Sequence, residues 1–82
     1  MTNIIYTTTF REREYSKPRF CRMDSDSLRC VMEEIGKTIR HKYPDAVTYI
    51  ITTPDGFTIR VSYEGEDGAR TSSYYDIIKN LV

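Results

Sequence analysis

Few residues of this chain are of the types that enzymes use for catalysis or metal binding. Its 82 residues include one histidine, His41, and two cysteines, Cys21 and Cys30. Three such ligands are too few for a structural zinc site, and their spacing matches no zinc motif. Catalysis otherwise needs a nucleophile with a base, or paired carboxylates in a cleft, and no residue pattern indicates either. The sequence therefore predicts a protein that is not an enzyme and that uses no cofactor or metal.

The glycines and the acidic residues indicate no ligand site either. The four glycines are dispersed, so they form no phosphate-binding loop. Glu64, Glu66 and Asp67 are clustered, and we interpret them as the solvated charges of a turn. Two cysteines are too few for a disulfide-stapled secreted domain, which favours reduced thiols and a cytoplasmic location. Because no apolar run approaches the ~18 residues of a membrane span, we expect no membrane partner.

The main indication of binding comes from residues 10–22, where basic and aromatic side chains alternate. Phosphate attraction and base stacking by such side chains hold single-stranded nucleic acid, which makes nucleic acid one candidate partner. Alternatively, the aromatic rings cover a core while the arginines stay solvated. The overall net charge is zero, which disfavours nucleic acid. The candidate partner-binding residues are Arg11, Arg13, Tyr15, Lys17, Arg19, Phe20 and Arg22.

The seven tyrosines point to a protein partner instead. Tyrosine and arginine are enriched in protein interfaces, where a flat amphipathic ring contributes contact area at low entropic cost. Some tyrosines, such as Tyr49 and Tyr63, are expected to face the core. Charge is unevenly distributed: residues 1–44 carry nine Lys/Arg against six Asp/Glu, a net of +3, and residues 45–82 carry three against six, a net of −3. This asymmetry predicts a weak electric dipole.

A chain of this length makes one domain, residues 1–82, with a small core. Its centre is a predicted amphipathic helix within Asp24–Pro44. The run Asp24-Ser25-Asp26-Ser27 offers several possible N-caps, and Pro44 ends the helix. Its apolar positions recur at the helical period and form one stripe. They are Leu28, Val31, Met32, Ile35, Ile39 and Tyr43.

The remaining segments are predicted to be mostly strands. Asn3–Phe10 alternates as a strand, and residues 15–23 are expected to be an irregular connection. Ala46–Thr52 and Phe57–Tyr63 form an antiparallel hairpin around the turn residues Thr53-Pro54-Asp55-Gly56. Its second strand should present Phe57, Ile59, Val61 and Tyr63 to Ile35 and Ile39.

Two alternatives stand for the segment after residue 68. Residues 69–73 form either a short third strand or the lead-in to a final helix. That helix is predicted from Tyr74, Ile77, Ile78 and Leu81, with Ser73 and Asp76 resembling a capping box. The predicted fold is α+β, a small two-layer sandwich of order β-α-β-β-(β)-α, with an antiparallel hairpin and helices packed on one sheet face.

One stretch, residues 34–45, resembles the DinI-like family. In that family a helix ends in an aromatic-Pro-Asp step, here Tyr43-Pro44-Asp45, and two strands and a closing helix follow. The family's closing helix is strongly acidic, whereas residues 74–82 contain only Asp76 and Lys79 as charged residues, and the connection at residues 64–72 is longer here. The resemblance implies a bacterial or phage regulator that binds the RecA recombinase filament.

We therefore expect a small non-enzymatic binding protein that modulates a partner protein. A bacterial or phage accessory factor fits this description, including an inhibitor of a host defence or host enzyme complex. The alternative is a nucleic-acid-binding module that uses residues 10–22.

Overall fold

The computed structural model describes residues 3–81, without the side chains of residues 22–24. It contains one five-stranded antiparallel sheet and one helix, which confirms the small α+β class. The strands lie in the order β2-β1-β5-β4-β3, so β2 and β3 are the two edges. The elements are β1 Ile4–Arg11, β2 Arg19–Ser25, α1 Leu28–Lys42, β3 Val47–Thr53, β4 Gly56–Glu64 and β5 Arg70–Leu81. No helix in these ranges is long and apolar enough to cross a membrane.

Helix α1 forms where the sequence predicts it. Ser27 is the N-cap, and its hydroxyl accepts a hydrogen bond from the Cys30 N–H at 3.3 Å. At the other end the Tyr43 N–H donates to the Ile39 carbonyl at 2.7 Å, and Pro44 follows. The last turn contains Arg40, His41 and Lys42. Positive charge at this position is stabilised by the negative end of the helix dipole.

The core lies between α1 and one face of the sheet. Val31, Ile35 and Ile39 of the helix stripe are buried, and the other stripe residues pack against them. Facing them are Ile59 and Val61 of β4, with Phe57 and Tyr63 at the margin, as predicted. The central strand β5 and its neighbour β1 contribute further buried side chains, each no more than 2% exposed. These are Tyr75, Ile77, Ser73 and Thr8.

The predicted final helix is wrong, because residues 70–81 form the central strand β5. Ser73, Tyr75 and Ile77 alternate with more exposed residues, so the same segment also fits the period of a strand. β5 pairs with β1 on one side and with β4 on the other. Backbone hydrogen bonds to two strands therefore outweigh the short helical pattern. Asp76 caps no helix and pairs with Arg11 instead.

A second correction concerns residues 15–23, which are not irregular throughout. β2 begins at Arg19, directly after Pro18, and pairs with β1. The register shifts between the pairs at Tyr6 and Thr8, which marks an irregularity in this ladder. The resulting order is β-β-α-β-β-β, with one helix where the sequence predicted two.

The hairpin of β3 and β4 has the predicted turn. Thr53 is paired with Gly56, and Pro54 and Asp55 form the loop. Gly56 has a φ of +154°, which residues with a Cβ rarely adopt, and a Cβ there would overlap the Ile77 carbonyl oxygen. The turn thus brings β4 close to β5.

Candidate binding surface

The sheet has a second face that α1 does not cover, which we call the open face. Alternate residues of each strand point to it, as the pairing registers require. Its residues include Ile5, Thr7, Thr9 and Arg11 of β1, Phe20 of β2, Val47, Tyr49 and Ile51 of β3, Thr58 and Arg60 of β4, and Tyr74, Asp76 and Ile78 of β5.

Apolar side chains are concentrated on the open face. Nine large hydrophobic residues are exposed within the described part of the chain, and six of them lie on this face. Phe20 is 66% exposed and Tyr49 is 50% exposed. Three of the six follow one another along β3, and exposed apolar surface of this kind often marks a binding site. The six are Ile5, Phe20, Val47, Tyr49, Ile51 and Ile78.

A polar cluster sits at the centre of the open face. Arg11 donates two hydrogen bonds to Asp76, from Nε to Oδ2 at 2.6 Å and from Nη2 to Oδ1 at 3.0 Å. The Thr58 hydroxyl donates to Asp76 Oδ1 at 2.8 Å. The hydrogen bond with Asp76 raises the pKa of Arg11 despite partial desolvation. Arg11 is therefore fixed in place, and its charge is largely balanced before any partner arrives.

Arginines and tyrosines alternate across four strands of the open face. Tyr74 pairs with Arg11 on one side and with Arg60 on the other, and Arg60 pairs in turn with Tyr49. The Arg11 guanidinium lies 4.7 Å from the Tyr74 ring centroid, and that of Arg60 lies 5.6 Å from the Tyr49 centroid. These cation–π contacts hold the rings in defined positions. Arg60 also donates to the Ser72 hydroxyl at 3.1 Å.

The predicted residues Arg13 and Tyr15 lie at one end of the sheet, in the loop between β1 and β2. Tyr15 is 93% exposed. Together with Arg70 and Tyr74 of β5 they line a shallow polar depression of about 480 Å³. Arg13 donates to the Tyr63 hydroxyl at 3.4 Å. The depression extends the open face at this end, because Tyr74 belongs to both.

The other predicted residues are dispersed. Lys17 is exposed in the loop, and Phe20 lies on the open face. Arg19 pairs with Phe10, which places it on the helix side, and its guanidinium is 3.7 Å from Glu12. The side chain of Arg22 lies outside the described residues. The structure thus joins part of the predicted set to the open face and separates Arg19 from it.

Sequence reasoning missed the contribution of β3 to this surface. Tyr49, which was predicted to face the core, is half-exposed on the open face beside Arg60. Val47 and Ile51 accompany it. A signal was present, because apolar residues occupy both faces of β3 although a hairpin strand at a sheet edge has only one face to bury. Tyr63 does pack against the core, as predicted.

The histidine and the two cysteines lie on two elements, α1 and β2. His41 and Cys30 are both exposed on α1. Cys21 is half-buried, and its desolvation raises the pKa of its thiol although Lys42 lowers it. Within the described residues, no group of three or more His, Cys, Asp or Glu side chains is placed to hold a metal ion.

Comparisons with protein-family models, curated proteins and solved structures found no match to this chain.

Proposed function

We propose that this protein is a small non-enzymatic binding protein that modulates a partner protein through the open face. Of the nine large hydrophobic side chains exposed in the described part of the chain, six lie on this face, and this concentration carries the proposal. A flat, partly apolar sheet surface with fixed tyrosines and arginines has the composition of a protein interface. Tyrosine and arginine side chains are also the ones that most often dominate binding energy.

The charges around the open face suggest the chemistry of the partner. Among the described residues, Arg13, Arg60 and Arg70 take part in no salt bridge, and all three are exposed. Lys17 adds a fourth exposed positive charge nearby. We therefore infer a partner that presents acidic groups around an apolar contact area.

Within this class we propose a bacterial or phage accessory factor, located in the cytoplasm. Inhibition of a host defence or of a host enzyme complex fits a small protein that acts by covering a surface. Action on a RecA-type filament, which the DinI-like resemblance implies, remains a proposal. The strand β5 stands where that family has its closing helix. Action on such a filament would therefore use a surface other than a closing helix, and we propose the open face.

Truncation of the open face tests the proposal. The immobilised protein is expected to retain a stoichiometric protein from a bacterial lysate, and the double variant Phe20→Ala/Tyr49→Ala should retain at least about tenfold less. Leu81→Ala is the matched control, because Leu81 is 68% exposed but pairs with Ile4 on the helix side of the sheet. Equal retention by all three proteins, or turnover of a small molecule in a substrate screen, would overturn the proposal.

Nucleic acid is the second candidate, and the alternating row of Arg11, Tyr74, Arg60 and Tyr49 favours it. Rings held on a sheet surface are suited to stacking with unpaired bases. A fluorescence titration with single-stranded DNA and RNA tests this candidate. The logarithm of the affinity for single-stranded nucleic acid should fall by about 0.7 per tenfold rise in salt concentration for each phosphate neutralised.

Arg60→Ala should weaken such binding, whereas Arg40→Ala, an equal loss of charge on α1, should not. Absence of binding at low salt would eliminate nucleic acid as the partner. An equal effect of the two variants would place any binding outside the open face.

A further inference from the structure

The two edges of the sheet differ in how they are protected from pairing with another strand. β2 has charged residues in its sequence, Arg19, Arg22 and Asp24, and an irregular register with β1. Both features discourage the addition of a further strand. β3 has neither, since Val47–Thr53 contains no charge, glycine or proline and pairs with β4 in one unbroken register. Exposed apolar edge strands of this kind pair with another chain unless they are covered.

The backbone of β3 directs a regular set of hydrogen-bonding groups outward. The Lys79 N–H donates to the Asp55 carbonyl at 2.8 Å, so odd-numbered positions from residue 55 onward turn toward β5. Even-numbered residues of β4 then turn toward β3, where the register pairs them with odd-numbered residues. The N–H and C=O groups of the even-numbered residues in β3 therefore point away from the sheet. These residues are Thr48, Ile50 and Thr52.

We propose that the open edge of β3 pairs antiparallel with β3 of a second copy of this chain, on a two-fold axis that passes beside Ile50. In this register residues 47–53 of one copy pair in reverse order with residues 47–53 of the other, and Ile50 is the midpoint. The outward backbone groups of Ile50 then meet those of Ile50 in the second copy, and Thr48 meets Thr52. Every outward N–H has a carbonyl opposite it, which is the pattern of an antiparallel ladder.

The side chains are self-complementary in this register. Tyr49 lies opposite Ile51 of the second copy, an aromatic against a β-branched residue, which is a favourable cross-strand pair. Ile50 lies opposite its own equivalent, and it is 61% exposed in the single chain. No charge faces a like charge within the seven pairs. Asp45 and Asp55 flank the segment, and a register shifted by two residues would lose two pairs and place Asp55 opposite Val47.

On the helix side of the sheet, the outer edge of β3 borders a groove. A groove of about 240 Å³ separates α1 from β3, and Met32, Arg40 and Ile50 are among its lining residues. One strand pair with its flanking side chains is a small contact compared with the roughly 1,200–2,000 Å² that stable interfaces bury. We therefore expect a reversible dimer whose fraction rises with protein concentration. It makes one ten-stranded sheet with both open faces on the same side.

Sedimentation velocity over a range of concentrations tests the second copy as the occupant. The mass should rise from monomer to dimer and no further, because each chain has one unprotected edge. Ile50→Lys should raise the dimer dissociation constant at least about tenfold, since the two introduced charges meet at the axis. Phe20→Lys is the matched control, because Phe20 is a similarly exposed apolar residue on the opposite edge, and the dissociation constant should stay unchanged.

Disulfide trapping tests the register in a Cys21→Ala/Cys30→Ser background. Ile50→Cys should form an intermolecular disulfide on mild oxidation, because directly opposed residues lie about 5.5 Å apart between Cα atoms. Thr48→Cys alone should not, since its equivalent lies four residues away along the strand. A monomer at all concentrations, equal trapping at the two positions, or pairing of β3 only with a segment of another protein would overturn the proposal. None of these results bears on partner binding by the open face, which excludes Ile50.

Discussion

Thr8 is fully buried, and its hydroxyl has no hydrogen-bond partner among the described residues. A buried polar group without a partner costs about 1–3 kcal/mol. Thr8→Val replaces this hydroxyl by a methyl group of the same shape, so we expect the free energy of unfolding to rise by about 1 kcal/mol in urea denaturation. Thr9→Val, at a half-exposed position on the open face, should change it by less than about 0.5 kcal/mol. A loss of stability in Thr8→Val would show that the hydroxyl is satisfied, for instance by an internal water.

Because Tyr75 is buried, we expect the protein to lose stability at alkaline pH. Burial raises its pKa from an ordinary 10 to about 12, with a smaller contribution from the nearby Cys21. The neutral ring is therefore favoured in the folded state. Its stabilising contribution is complete below the unfolded pKa and is lost as the pH rises toward the folded pKa. The expected loss is about 1–3 kcal/mol of unfolding free energy.

Tyr75→Phe isolates this effect, because it keeps the ring that packs 5.0 Å from Phe10 and removes the titrating group. Urea denaturation at several pH values between about 8 and 11.5 should show the native protein losing stability faster than the variant. Parallel curves for the two proteins would contradict the buried, neutral state of Tyr75.

At the scale of elements, the apolar stripe of α1 predicts which helix residues stabilise the fold. Ile39 is buried against the sheet, whereas the adjacent Arg40 is exposed. Ile39→Ala should cost about 2–5 kcal/mol through lost burial and the cavity it leaves. That is a large fraction of the roughly 5–15 kcal/mol that stabilises a small domain. Arg40→Ala should cost no more than about 0.5 kcal/mol. If urea denaturation showed a larger loss of stability in Arg40→Ala than in Ile39→Ala, α1 would pack through another face.

The elements that could be predicted from the sequence are those whose signals are local. α1 has its cap, stripe and terminating proline within one segment, and the β3–β4 hairpin has its turn between two alternating runs. β5 could not be decided in this way. Tyr74, Ile77, Ile78 and Leu81 fit a helix, while Ser73, Tyr75 and Ile77 fit a strand, so its pairing with β1 and β4 determines the outcome.

The candidate binding surface was less predictable than the fold, because exposure depends on which side of the sheet the helix covers. Arg13, Tyr15 and Phe20 could be identified from the mixture of basic and aromatic residues. Arg11 could not be recognised as already paired, since Asp76 lies 65 residues away in the sequence. Tyr49 could not be placed on the uncovered face until the sheet face that α1 covers was known.

At the scale of the whole molecule, the sheet keeps the two halves of the sequence apart. β2 and β1 come from the basic half and lie on one side of the sheet, and β5, β4 and β3 come from the acidic half and lie on the other. The two halves meet between β1 and β5, where Arg11 pairs with Asp76. The charge asymmetry of the sequence therefore follows the strand order, while α1, from the basic half, packs on β4 and β5 of the acidic half.

The dimer and the open face together define how partners would be engaged. Pairing at β3 places two open faces in one plane, which favours a partner with two or more equivalent sites. Binding to such a partner would gain from the second attachment without any new contact. A partner with a single site would bind the monomer and the dimer equally well.

Site-specific photo-crosslinking tests the central claim, that the open face is the partner-binding surface, most directly. A benzophenone amino acid replaces Tyr74, on the central strand of the open face, or Lys37, which is exposed on α1 on the opposite side of the sheet. On irradiation in a bacterial lysate, the probe at position 74 is predicted to form one predominant adduct with a protein, and the probe at position 37 none. Adducts of equal yield at both positions, or an adduct at position 37 alone, would contradict the assignment of the open face.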